Sequence, residues 1–200
     1  MSNRLLLVLT LLGTASVAQA GPPLICHPYN IGDAKSLPWG SGSGWDAKDP
    51  SYETKSVPAD TLALLGTQTP VLVRMETLRR AVLYGAVDHD SARSLLAQLR
   101  DRQVSVGKSD ALANFDYGYF LASLKQIEWL YKEDLTGGVD GYKYVLDALA
   151  FHPDSPEMHF AAAIIASSPM RQAERDLHLS KARSAKNDVL LARNLQSHFQ

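Results

Sequence analysis

From Ala59 to the C-terminus the apolar residues keep a helical beat, and breakers interrupt it at short intervals. That pattern restricts the chain to helices joined by tight turns. A short helix is expected over residues 60–65, stopped by Gly66. Val71, Met75, Leu78 and Val82 fall at i, i+4, i+7 and i+11, one face of a helix entered through Thr69-Pro70 and ending near Ala86. Asp88-His89-Asp90 punctuates, with Asp90 as the expected cap, and Ala92, Leu95, Leu96 and Leu99 form the next stripe. The longest helix is expected over 111–132, with Leu112, Phe115, Tyr119, Ile127 and Leu130 inward and Gly137-Gly138 behind it. Tyr142, Val145, Leu146 and Leu149 mark a helix that Pro153 must end. Ser155-Pro156-Glu157 opens another, Ser168-Pro169 a third reaching about Ala185, and Asn187-Asp188 caps a last one over 189–198. No strand pair is legible. The expectation is an all-α fold of antiparallel helix hairpins with short turns.

The first 58 residues are of another kind. Arg4, the apolar run from Leu5 to Leu12 and the sequence Ala18-Gln19-Ala20 follow the order of a cleavable secretory signal over residues 1–20. The run falls short of the roughly 20 apolar residues that a spanning helix needs. Export to a periplasmic or extracellular space follows, with no membrane insertion after cleavage. Residues 21–58 are rich in Pro and Gly, hold no apolar period and read as an irregular arm before a helical domain over 59–200. The formal net charge of −1 becomes about −2 when Arg4 is removed. No basic stretch exists, which argues against nucleic acid. Cys26 is the only cysteine, so stability must come from packing rather than an internal disulfide.

Ala148 followed by Pro153, and Ala182 standing 34 residues beyond Ala148, resemble the ends of tetratricopeptide repeats. The resemblance covers residues 138–200, and Asn187 replaces the second proline. The Trp, Leu-Gly and Tyr pattern of the family's first helix is missing. The resemblance implies an α-solenoid array with a concave surface for peptides or other proteins, and brings no catalytic residues.

Few residues suggest chemistry. Cys26 and His27 are good ligands for copper or zinc, and Asp33 follows six residues after His27. The bland alternative is a buried structural thiol where the arm docks. A Cys–His nucleophile would need a second histidine, from among His89, His152, His159 and His178. Trp39 and Trp45, on a Gly-Ser segment, could grip a partner or anchor the arm in the domain's own groove. Asp116 and Tyr117 point away from the Phe115–Tyr119 face and are candidates to line a groove, and Gly118 suits a close helix crossing or the approach of the arm. The reading favoured is a non-enzymatic binding or scaffold module for a protein or peptide, with no cofactor. The alternative is a metal-binding or thiol-handling protein using Cys26 and His27.

Overall fold

The computed structural model describes residues 23–42, 44–106, 110–185 and 187–199. The leader assigned to residues 1–20 lies outside them. Helices α1 (Val57–Leu64), α2 (Val71–Gly85), α3 (His89–Val106), α4 (Ala111–Gln126), α5 (Glu128–Tyr131), α6 (Gly141–Phe151), α7 (Pro156–Ile165), α8 (Gln172–Ala182) and α9 (Val189–His198) follow in order. Short 3-10 turns lead into α1 and α8. Among the described residues there is no strand, so the fold is all-α.

The periodic face of α2 understated its position. Every residue of this helix except Arg80 is buried, including Arg74, Glu76, Thr77 and Arg79. It packs on α1, α3, α4 and α7 and is the axis of the core. A helix buried all round must have its charges paired, and these are. Arg74 donates to Asp116 of α4 at 2.6 Å and to the carbonyl of Thr69 at 3.0 Å. The start of α2 also departs from the expectation. Pro70, not Thr69, occupies the cap position, and Thr69 instead donates its hydroxyl to the Leu64 carbonyl at the end of α1. The open Val71 N–H is met by Glu157 of α7 at 3.0 Å, a cap from 86 residues away.

At α3 the cap is Asp88, which accepts from the Ser91 N–H at 3.2 Å and the Ser91 hydroxyl at 2.9 Å. Asp90 is turned instead to Arg93, at 2.7 Å. The long helix expected over 111–132 is broken at Ile127, where φ is −118° and ψ 24°, and Lys132 closes α5 with φ 57°. Tertiary contacts account for the break. Ile127 and Tyr131 are both buried, and the Tyr131 hydroxyl donates to the Val82 carbonyl of α2 at 2.6 Å. The caps at Asp110, Asp140, Ser155 and Asp188 hold first-turn amides as N-caps do.

The most extensive helix pairings are α4 with α6 and α7 with α8. The first depends on two glycines. A Cβ on Gly118 would lie 2.6 Å from the Gly141 carbonyl oxygen and 2.6 Å from Tyr144 Cβ, and one on Gly141 would overlap the Gly118 carbonyl. Gly118 therefore serves a helix crossing rather than the approach of the N-terminal segment. That segment, residues 23–53, contains no helix or strand among its described residues, yet Leu24, Ile25, Tyr29, Ile31 and Leu37 are buried in the core.

Candidate functional site

Three groups of polar side chains stand out, and the first explains how an irregular segment is held. Buried backbone groups without secondary structure need other partners, and α2 supplies them. Glu76, fully buried, accepts from Arg79 Nε at 2.8 Å, Arg79 Nη2 at 3.0 Å and Arg80 Nε at 2.7 Å. It also accepts the Tyr29 N–H at 3.0 Å. Arg79 carries on to the carbonyls of Ile25 (3.0 Å) and Trp45 (2.9 Å), and Arg80 to that of Leu37. Trp39 lies half-buried under both guanidiniums, 5.0 and 5.5 Å from its ring, and edge-on to Tyr84. Trp45 is half-buried against the core. In this structure both tryptophans serve the segment's own docking.

Cys26 and His27 are half-buried and Asp33 is exposed. Burial pushes the Cys26 thiol above its ordinary value, with Arg79 pulling the other way, so this sulfur is no ready thiolate. No group of three His, Cys, Asp or Glu residues among the described residues is arranged to hold a metal, and the structure does not gather Cys26, His27 and Asp33 with a helical ligand. The histidine beside His27 is His198, which no spacing in the chain marks. Its ring stacks on Tyr29 with centroids 4.8 Å apart and planes 2° from parallel, and His27 meets it edge-on at 5.4 Å.

The second group joins α6, α7 and α8. His159 Nε2 lies 2.8 Å from the Pro153 carbonyl, His159 Nδ1 lies 2.8 Å from His178 Nδ1, and His178 Nε2 lies 3.0 Å from the Tyr142 hydroxyl. A carbonyl only accepts, so His159 carries its proton on Nε2 and its Nδ1 is bare. His178 must then donate from Nδ1, and its bare Nε2 accepts the Tyr142 O–H. One set of tautomers satisfies every contact with both rings neutral. Burial, then the proximity of His159 and Lys181, lowers the His178 pKa to about 4, and burial lowers that of His159.

An imidazole depressed below its unfolded value of roughly 6.5 binds fewer protons when folded. Stability is then full above that pH and falls as pH drops toward about 4. From pH 7.5 to 5 the His178 contribution is expected to shrink by on the order of 1 to 2 kcal/mol. Asp116 opposes part of this loss, since burial raises its carboxyl to about 6 against the pull of Arg74 and Arg102. The measurement is therefore a difference: urea midpoints of wild type and His178→Gln at both pH values. A variant whose stability falls as steeply as the wild type's would refute the neutral chain.

The third group is a cleft of about 360 Å³ between α3, α4, α6 and the turn after α5. Arg93, Leu96, Ala97 and Arg100 form its α3 wall, at helical spacing i, i+3, i+4 and i+7. Tyr117 and Leu121 come from α4, Tyr144 from α6, and Leu135, Thr136 and Val139 from the turn. The tyrosine rings meet edge-on, centroids 4.9 Å apart and planes at 78°. Burial raises the Tyr117 pKa, so its hydroxyl is a neutral donor. Tyr117 thus lines a depression. Asp116 does not reach it: its carboxylate is fully buried on the other side of α4, 2.6 Å from Arg74 and 3.6 Å from Arg102. Adjacent helical residues point about 100° apart, and the pairing demand of α2 claims the acid.

Arg93 is already paired, with Asp90 at 2.7 Å and Glu133 at 2.6 Å. Arg100 has no carboxylate partner among the described residues, and no Asp or Glu lines the cleft. A neighbouring depression of about 300 Å³ across the Thr136–Val139 turn also has two cations, Lys125 and Arg171. These are engaged by Glu128 and Asp140 respectively. No family model, no curated protein and no solved structure matches the chain.

Proposed function

We propose that this chain is an exported, non-enzymatic binding or scaffold module that holds a segment of another protein or a peptide in the cleft between α3, α4 and α6. The observation that carries this reading is the cleft itself: apolar residues, two tyrosines and a carboxylate-free arginine left open on well-packed helices. Sites placed on rigid elements lose little freedom when they bind. The tetratricopeptide-like arrangement of α6 to α9 belongs to the same proposal. It is supported by the full burial of Ala148 and Ala182, the two small residues of the resemblance, and by the pairing of α7 with α8.

Selection from a displayed random-peptide library tests the function. Enriched peptides are expected to lose at least tenfold in affinity toward Val139→Asp, a change at a part-exposed cleft residue. Selection that yields no enriched peptide, or peptides indifferent to this change, would sink the proposal. Export has its own test. The N-terminus of the exported protein is expected to be Gly21, which leaves the buried Leu24 and Ile25 in place. An exported chain that retains residues 1–20 would refute cleavage.

A further inference from the structure

We infer that the cleft recognises an acidic–apolar peptide segment, its Asp or Glu side-chain carboxylate bound by Arg100 and the Tyr117 and Tyr144 hydroxyls. The adjoining apolar side chain of the ligand rests on Leu96, Leu121 and Val139. This inference rests on the binding-module reading and names its ligand class.

Complementarity of charge and hydrogen bonding points to the carboxylate. Among the described residues neither tyrosine hydroxyl has a protein hydrogen-bond partner, Arg100 has no ion pair, and all three residues line one cleft. An arginine fork and two phenols are donors whose natural counterpart is an oxyanion. The other cations of this face already have carboxylate partners: Asp90 and Glu133 on Arg93, Glu128 on Lys125, Asp140 on Arg171. The remaining wall is aliphatic. A charge-assisted bond beside excluded water is stronger than one in open solvent, so the apolar wall and the donors reinforce each other. The cleft volume, about 360 Å³, suits one or two ligand side chains rather than a folded surface.

The test uses the full chain and a fluorescein-labelled peptide, acetylated and amidated, with a Glu-Leu pair flanked by Gly and Ser. Copies carry Gln or Lys in place of Glu, and another places Leu at a free C-terminus without Glu. The Glu peptide is expected to bind with micromolar affinity, at least tenfold tighter than the Lys copy. Arg100→Glu, at an exposed position that leaves the fold intact by circular dichroism, should invert that order. Tyr144→Phe should weaken the Glu peptide several-fold. Equal affinity for Glu, Gln and Lys copies would overturn the ligand class and leave the binding-module reading standing. Binding of the free C-terminus alone would overturn the side-chain source. No binding by any peptide would overturn the inference, and the reading falls with it only if the displayed-library selection is also empty.

Discussion

Glu76→Ala is expected to destabilise the protein by about 3 to 5 kcal/mol, because it leaves two arginines on α2 without their shared anion. Arg79 is fully buried and cannot turn to water without dragging α2 out of the core, whereas the Arg80 side chain is 19% exposed. The effect reaches beyond the ion pairs. Both arginines also donate to carbonyls of the N-terminal segment, and Glu76 itself takes the Tyr29 amide. Glu76→Gln tests the charge at constant size. Its amide offers one acceptor and turns an NH2 toward a guanidinium, so it should recover little of the loss. A typical domain has only about 5 to 15 kcal/mol to lose, so the readouts are the urea midpoint and the rate of proteolysis within residues 24–49. A loss below about 1 kcal/mol with an unchanged cleavage rate would mean that apolar burial of Leu24, Ile25 and Leu37 holds the segment unaided.

Gly141→Ala is the second large effect, about 3 kcal/mol of destabilisation, and its sign is informative. Gly141 opens α6, where alanine is the better helix former by about 1 kcal/mol. Its φ is not in the left-handed region, so alanine brings no backbone strain. Propensity alone predicts a gain. The added Cβ would meet the Gly118 carbonyl and the Ala122 backbone nitrogen, the latter at 2.7 Å, and backbone cannot step aside as a side-chain tip can. The α4–α6 pair must then spread. Because Tyr117 and Tyr144 sit on those two helices, the edge-on contact that forms the cleft should loosen with it. Gly137→Ala is the control: it has open space around it but φ of +58°, and should cost about 1 kcal/mol through backbone strain only. A Gly141→Ala protein as stable as the wild type would show that the crossing yields more than close packing permits.

Much of the helical layout was legible in the residues. The bounds of α9, the caps at Ser155 and Asp188, and the core faces of Phe115 and Tyr119 agree with the periodicity. These features depend on neighbours three or four residues away, and a linear pattern records those. Two failures have the opposite cause: the break at Ile127 and the cap on α2 from Glu157 were decided by side chains distant in sequence. The α3 cap was a local choice between two acids, Asp88 taking Ser91 and Asp90 taking Arg93. Of the candidate site, Tyr117 was visible as a residue off the core face, while its companions on α3 and α6 were not. Arg93 and Arg100 lie off the Ala92–Leu99 stripe, and only the fold lines one cleft with them and Tyr144.

Local chemistry in the sequence thus determined the class of the fold, all-α with short turns, because helix period, proline, glycine and capping residues act within one turn of the chain. Tertiary structure alone decided which charges are buried and which stay open. Asp116 and Tyr117 are neighbours in the chain, yet one is spent neutralising Arg74 inside the core and the other faces a cleft. The same holds for Glu76, an ordinary acid in the sequence that becomes the anchor for two arginines and thirty-odd residues of irregular chain. Burial makes an unpaired charge prohibitively costly, so the core assigned its carboxylates first. Arg100, without a carboxylate partner among the described residues and lining the cleft, marks the surface on which a ligand carboxylate is expected.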